Sequence, residues 1–143
     1  MKTLKTTLPF KIRFSEIDIM RVVWHGAYAK YFEDAREQFG KEFGLSYDLI
    51  EKSGYYAPLV DLSFQYKQPL RYGMEPEIVI TYRPTEAAKI IFDYEIRGTA
   101  DEGVFVTGHS IQVFMDTQYQ LVWENPDFYE EWKRRWGIIM QED

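Results

Sequence analysis

Between Phe14 and Tyr28 the chain carries two carboxylates, an arginine and a histidine, in the run Phe14-Ser-Glu-Ile-Asp18-Ile-Met-Arg-Val-Val-Trp24-His25-Gly26-Ala27-Tyr28. The alternation of Phe10, Ile12 and Phe14 before this run predicts a strand over Leu8–Ile17. The helical spacing of Tyr28, Tyr31, Phe32, Ala35, Phe39 and Phe43 after it predicts a helix over 26–43, stopped by Gly44. Asp18 then lies just after a strand and just before a helix. The helix start, His25-Gly26-Ala27, has no Ser, Thr, Asp or Asn to accept from the first backbone N–H groups. Those donors, with the positive end of the helix dipole, could instead face a ligand oxygen. An acyl carbonyl gains negative charge when attacked, and donors at a helix start stabilise that charge. A neighbouring carboxylate can attack the carbonyl or take a proton from water. On spacing alone a simpler reading is favoured, with Gly26 as an adequate cap and Asp18 as a turn residue. Glu16 reads as a solvated strand-end charge before it is a second acid or base.

The remaining elements follow from periodicity. A short helix is expected over Ser46–Lys52. Four strand-like segments come next, around Val60–Tyr66, Ile78–Arg83, Ile90–Arg97 and Val104–Asp116, each alternating with period two or apolar throughout. Asn125 and Pro126 read as the cap and first position of a C-terminal helix at about 126–137. Strand, long helix, four strands and short helix, joined by short turns, make an antiparallel sheet against one helix, an α+β domain. A single domain over 1–143 is expected from the length.

Composition narrows the chemistry. The chain has no cysteine, which removes disulfides, thiolate metal sites and a cysteine nucleophile. Two histidines far apart in the sequence make a poor metal set. His109 reads as a core or interface residue. The net charge of −6 argues against nucleic acid as a partner. No stretch approaches the length of a membrane span, and no signal peptide is evident, so a cytoplasmic setting is expected. Lys133-Arg134-Arg135 reads as surface charge late in a helix. Aromatics are 17% of the chain, and Phe128, Trp132 and Trp136 read as packing residues.

Asp18, Val22-Val23-Trp24-His25, Tyr28, Phe32-Glu33 and Ala35-Arg36 resemble the signature of the 4-hydroxybenzoyl-CoA thioesterase family of hot-dog proteins, in its bacterial acyl-CoA thioesterase branch. The resemblance extends through Tyr66-Lys67-Gln68-Pro69 and reaches Asp116. It implies a hot-dog fold, an antiparallel sheet wrapped around a long central helix. It also implies hydrolysis of an acyl-CoA or acyl carrier protein thioester, with no cofactor and no metal. Carried onto this chain, Asp18 is the catalytic carboxylate and the His25 backbone N–H polarises the carbonyl. Trp24, Tyr28 and Arg36 support or line the site. The site is expected between two subunits of a homodimer or homotetramer, with Leu59, Val60 and Asp61 of a partner completing it. Lys89 is the basic residue left where relatives carry a basic-Gly-x-Ser pattern. The chain departs from the family at Ile19, Met20 and Arg21, where small residues and a Gly are usual. If that turn needs positive φ, Arg21 is a strained substitute. A dehydratase or hydratase on the same fold, or a non-catalytic acyl-thioester-binding protein, are the alternatives.

Overall fold

The computed structural model describes residues 3–100 and 102–138. Residues 1, 2, 101 and 139–143 of the expected 1–143 domain lie outside the described residues. The elements run β1 (Lys5–Pro9), α1 (Tyr28–Phe43), α2 (Tyr47–Lys52), β2 (Tyr55–Tyr56), β3 (Leu59–Tyr66), β4 (Pro76–Arg83), β5 (Lys89–Gly98), β6 (Val104–Asp116), β7 (Leu121–Val122) and α3 (Asp127–Arg135). Every strand pairing is antiparallel. The main sheet runs β1-β4-β5-β6-β3, and the two-residue strands β2 and β7 extend the far end of β6.

One sheet face holds α1. Ile78, Ile80, Tyr82, Ile90, Phe92, Tyr94, Ile96, Val106 and Phe114 are buried there against Tyr31, Phe32, Ala35 and Phe39 of the helix. Each large side chain so buried contributes about 1.5–3 kcal/mol. Phe32 stacks on Tyr94 with ring centroids 4.0 Å apart. Gly108 of β6 lets the helix approach this closely, because a Cβ there would fall 2.2 Å from the Phe32 ring. The helix stops at Gly44, whose φ of 74° suits glycine and whose N–H donates to Gly40 O. Two indole N–H groups, from Trp132 and Trp136, donate to Phe43 O at 2.7 and 3.0 Å. The C-terminal helix therefore satisfies an end carbonyl of α1 as well as packing against the sheet.

Four expectations need correction. The first strand is Lys5–Pro9, not Leu8–Ile17, because its register is set by pairing with β4 (Lys5 opposite Thr81, Pro9 opposite Glu77). Beyond Phe10 the chain leaves the sheet, and Phe14–Glu16 is a single 3-10 turn with Phe14 exposed. Asn125 does not cap α3; its amide donates to Glu86 O and its carbonyl oxygen accepts from Lys133. Lys133 is not surface charge but fully buried. Its ammonium donates to Thr85 O, Ala87 O and Asn125 Oδ1 at 2.8, 3.3 and 3.0 Å, which matches its three N–H donors. Burial pushes it down to about 8. Finally, Glu16 is buried, and it belongs with the site.

Candidate active site

Asp18 opens a tight turn. Its backbone N–H donates to Val22 O at 2.9 Å, and Arg21 N–H donates to Asp18 O at 2.9 Å. Ile17 bridges Val23 across this turn, and Val22 bridges Arg71. Asp18 Oδ1 accepts from Met20 N–H at 2.8 Å and from Val22 N–H at 3.4 Å. The carboxylate thus holds its own turn, as the simpler reading required. Only one oxygen does so. Oδ2 accepts no bond among the described residues. Asp18 is half-buried, and that oxygen is not committed to the turn.

Arg21 has φ of 65°, so the turn does take the left-handed conformation there. A side chain at such a position costs about 1–2 kcal/mol, part of which glycine returns as chain entropy in the unfolded state. Arg21→Gly is expected to raise stability by up to about 1 kcal/mol in a denaturant titration. A loss of stability would mean that the Arg21 side chain makes a compensating contact.

The helix starts as the residues suggest. His25–Ala27 forms a 3-10 turn that runs into α1, and neither start has a side-chain cap. Trp24 folds over Gly26 so closely that a Cβ on Gly26 would lie 1.9 Å from its ring. His25 is exposed, and its carbonyl is 3.4 Å from the Tyr66 hydroxyl, which donates to it. Tyr28 is buried beneath, with its ring 5.2 Å from that of Tyr66. Burial pushes the Tyr28 hydroxyl up, a bond from Leu70 N–H opposes this, and the charges of Tyr66 and Asp18 push it further up. Asp18 and Tyr28 therefore share one electrostatic environment. Val23 N–H donates to Leu70 O at 2.8 Å, which ties the Asp18 turn to the segment after β3.

Glu16 underlies this site. It is 4% exposed. Its carboxylate accepts from Arg13 N–H at 2.8 Å, Tyr31 hydroxyl at 2.8 Å and Lys30 ammonium at 3.2 Å. Its carbonyl accepts from Trp24 N–H at 3.0 Å. Burial alone would push Glu16 up, but the Arg13, Tyr31 and Lys30 bonds outweigh it and hold the carboxyl below its ordinary value. Such a group is a fixed anion, not a proton carrier, and it anchors the segment before the helix to α1. Its role was not legible because Lys30 and Tyr31, 14 and 15 residues on, meet it only through the fold.

The other expected residues are placed as follows. Arg36 is buried two helical turns beyond Tyr28, about 12 Å along the axis at 1.5 Å per residue. Leu59, Val60 and Asp61 are exposed at the start of β3, while Tyr66, its last residue, meets His25. An eight-residue strand puts these ends roughly 23 Å apart. Lys89 is exposed opposite Val113, at the Leu59 end of the sheet. Within one chain the structure brings together Asp18, Trp24, His25 and Tyr28, and leaves Arg36, Leu59, Val60, Asp61 and Lys89 apart from them. Arg71 is the basic residue beside the turn; Arg83 is paired with Asp93 at 3.5 Å on the outer sheet face. His109 shares that face, with Nδ1 2.9 Å from Asp93 Oδ1. Among the described residues no cluster of three or more His, Cys, Asp or Glu side chains could hold a metal, and no helix is long and apolar enough to cross a membrane.

A long helix wrapped by an antiparallel sheet, with a carboxylate turn ahead of an uncapped helix start, is the hot-dog arrangement. A family profile for the Thioesterase-like superfamily matches residues 12–140, and the chain belongs to that superfamily. Among relatives, "Putative acyl-CoA thioesterase YneP" of Bacillus subtilis (strain 168) is 34% identical over 93 residues, 64% of this chain and 67% of that one. "Acyl-acyl carrier protein thioesterase ATL3, chloroplastic" of Arabidopsis thaliana is 29% identical over 112 residues, 78% of this chain. The match spans only 59% of that plant protein. Among solved structures, a DHNA-CoA thioesterase from Staphylococcus aureus superposes with a TM-score of 0.81 at 25% identity, covering 94% of this chain and 92% of that one.

Proposed function

We propose that the chain hydrolyses acyl thioesters of coenzyme A or acyl carrier protein, with Asp18 as its reacting carboxylate. The observation that carries this reading is the free Oδ2 of Asp18 beside an uncapped helix start. In the step proposed, the thioester carbonyl oxygen rests on the first backbone N–H groups, that of His25 among them. Asp18 Oδ2 takes a proton from water, or attacks directly to give an anhydride that water then cleaves. The new carbon–oxygen bond replaces the carbon–sulfur bond, and the thiolate leaves and takes up a proton. The acyl group is aryl or short-chain, in keeping with the aromatic surroundings of Trp24, Tyr28 and Tyr66. Arg71 is one cation near the turn for a phosphate of the carrier. The names of the relatives, on coenzyme A and carrier-protein thioesters alike, support both carriers. The test is release of free thiol from a panel of acyl-CoA and acyl carrier protein thioesters. Binding without release of thiol would favour the non-catalytic alternative instead.

A site completed by a second subunit belongs to the same reading. Trp24 and His25 lie at the surface of a single chain. Among the described residues the edge strand β3 pairs with β6 alone, and its outer edge presents Leu59, Val60 and Tyr66 to solvent. Such an edge calls for cover. Antiparallel pairing of two β3 strands about a twofold axis would set the partner's Leu59, Val60 and Asp61 beside Tyr66 and His25. Val60→Lys is then expected to weaken self-association at least tenfold, because it puts an unpaired charge into the seam between the two strands. Analytical ultracentrifugation checks this. A monomeric wild type would contradict a shared site.

A further inference from the structure

Four large apolar side chains crowd the surface around the Asp18 turn. Phe14, Ile19, Met20 and Tyr72 are 79%, 99%, 73% and 60% exposed. The fold joins the two segments that carry them. The Phe14 ring meets the Tyr72 ring edge-on with centroids 6.0 Å apart, and Val22 bridges Arg71. Single exposed apolar residues are ordinary, but several on one surface mark a contact. Core packing accounts for neither Ile19 nor Arg21, which holds a side chain at a left-handed φ. The same surface is cationic. Residues 10–24 and 67–74 carry five Lys or Arg and two acids, in a chain whose net charge is −6. Of the two acids, Glu16 is buried and paired with Lys30, and Asp18 holds the turn. Arg21 and Arg71 are exposed and join no ion pair among the described residues. Glu75 and Glu102 line a depression with Arg71 and Tyr72, so the more cationic side of the patch is the Arg21 side. Aromatic residues, Met and Arg are the types enriched where proteins meet.

We propose that this patch is the docking surface for an acidic carrier protein that delivers the acyl thioester to Asp18. The choice of partner rests on the hydrolase reading above. The four apolar side chains pack against apolar residues of the partner, and Arg21 and Arg71 face its carboxylates. Position argues for this partner. Ile19 and Met20 follow Asp18 in the same turn, so a protein seated on them holds its acyl arm at the site. Coenzyme A has no protein surface with which to cover the apolar group. Charge argues the same way. A cationic patch on a chain of net charge −6 attracts an acidic partner to one place and repels it elsewhere, which orients the encounter.

The test is binding of a purified acidic acyl carrier protein, loaded with a hexanoyl group, to the full chain carrying Asp18→Asn, followed by fluorescence anisotropy. Saturable binding that weakens as salt rises is expected. Ile19→Ser together with Arg21→Gln, both at exposed positions, is expected to raise Kd about tenfold. In the chain with Asp18 intact, the same pair is expected to lower kcat/KM for the hexanoyl carrier protein about tenfold. It should leave kcat/KM for hexanoyl-N-acetylcysteamine, which has the end of the arm and no carrier, within about twofold of the parent. No saturable binding, binding that the pair does not weaken, or an equal loss on both thioesters would overturn the docking surface. So would binding to phosphatidylglycerol vesicles in place of the carrier protein, or loss of self-association in the double variant, which would give the patch to a membrane or to a second copy. Hydrolysis is read separately. Thiol release without carrier binding leaves the hydrolase reading standing and overturns the surface. Carrier binding through Ile19 and Arg21, with no thiol released from any thioester by the parent chain, upholds the surface and removes the hydrolase.

Discussion

Asp18→Asn is expected to lower kcat for thioester hydrolysis by about 10³-fold, within the range of a lost general base, while the protein unfolds at the parent's temperature. The geometry makes this substitution unusually clean. Asp18 Oδ1 accepts from Met20 N–H at 2.8 Å, and an amide oxygen can accept the same bond. The amide nitrogen would replace Oδ2, which makes no protein bond among the described residues. Asparagine therefore keeps the turn and loses the base. Asp18→Ala provides the contrast, since it removes the turn bond too and is expected to cost about 1 kcal/mol of stability besides the activity. Equal rates for wild type and Asp18→Asn, measured by thiol release, would remove Asp18 from the chemistry and return it to a turn residue.

Glu16→Ala is expected to destabilise the fold by about 3 kcal/mol, without touching a reacting group. The substitution strands the buried Tyr31 hydroxyl and leaves Arg13 N–H and Lys30 without their acceptor. It also frees the segment that carries Asp18, because Glu16 fixes that segment to α1. Part of the loss in activity should then track KM as well as kcat. The pH dependence has a definite sign. The bonds to Glu16 hold its carboxyl below the ordinary value, so the folded state releases the proton more readily than the unfolded chain. The stability this adds is fully present above the unfolded pKa, near 4.5, and is lost as pH falls through the lower folded value. Wild type should therefore lose stability more steeply than Glu16→Gln as the pH falls below about 5, by chemical denaturation at each pH. Parallel curves would show that the Glu16 proton is not linked to folding.

The order of elements was legible because it rests on local periodicity. The alternation in β4, β5 and β6 and the helical stripe of Tyr28, Phe32, Ala35 and Phe39 are written in neighbouring residues. The uncapped start of α1 and the turn at Asp18 could be read in the same way. The left-handed turn at Arg21 was legible only as a condition, through comparison with residues usual in the family. What failed depended on partners far along the chain. Phe10, Ile12 and Phe14 alternate as a strand does, yet β4 ends its pairing with β1 at Pro9, so the alternation continues without a ladder. Glu16 and Lys133 read as surface charges because most of the partners that hold them, Lys30 and Tyr31 for the first and Thr85 and Ala87 for the second, lie far along the chain. β2 and β7, of two residues each, are too short to carry a period. The pairing of His109 with Asp93 depends on the register between β5 and β6, which a single sequence does not specify. Of the site, the cluster of Asp18, Trp24, His25 and Tyr28 follows from one contiguous segment. Arg36, Leu59, Val60, Asp61 and Lys89 came from resemblance, and one chain does not bring them to that cluster.

The central claim is that a thioester carbonyl lies between Asp18 Oδ2 and the uncapped start of α1. The most direct measurement is a crystal structure of the protein with a non-hydrolysable ketone analogue of an acyl-CoA. The expected result places the ketone oxygen about 3 Å from a backbone N–H of the His25–Gly26 turn, with Asp18 Oδ2 facing the carbonyl carbon directly or through one water. A ketone bound elsewhere, such as the outer sheet face beside His109 and Asp93, with the Asp18 turn unoccupied, would contradict the assignment.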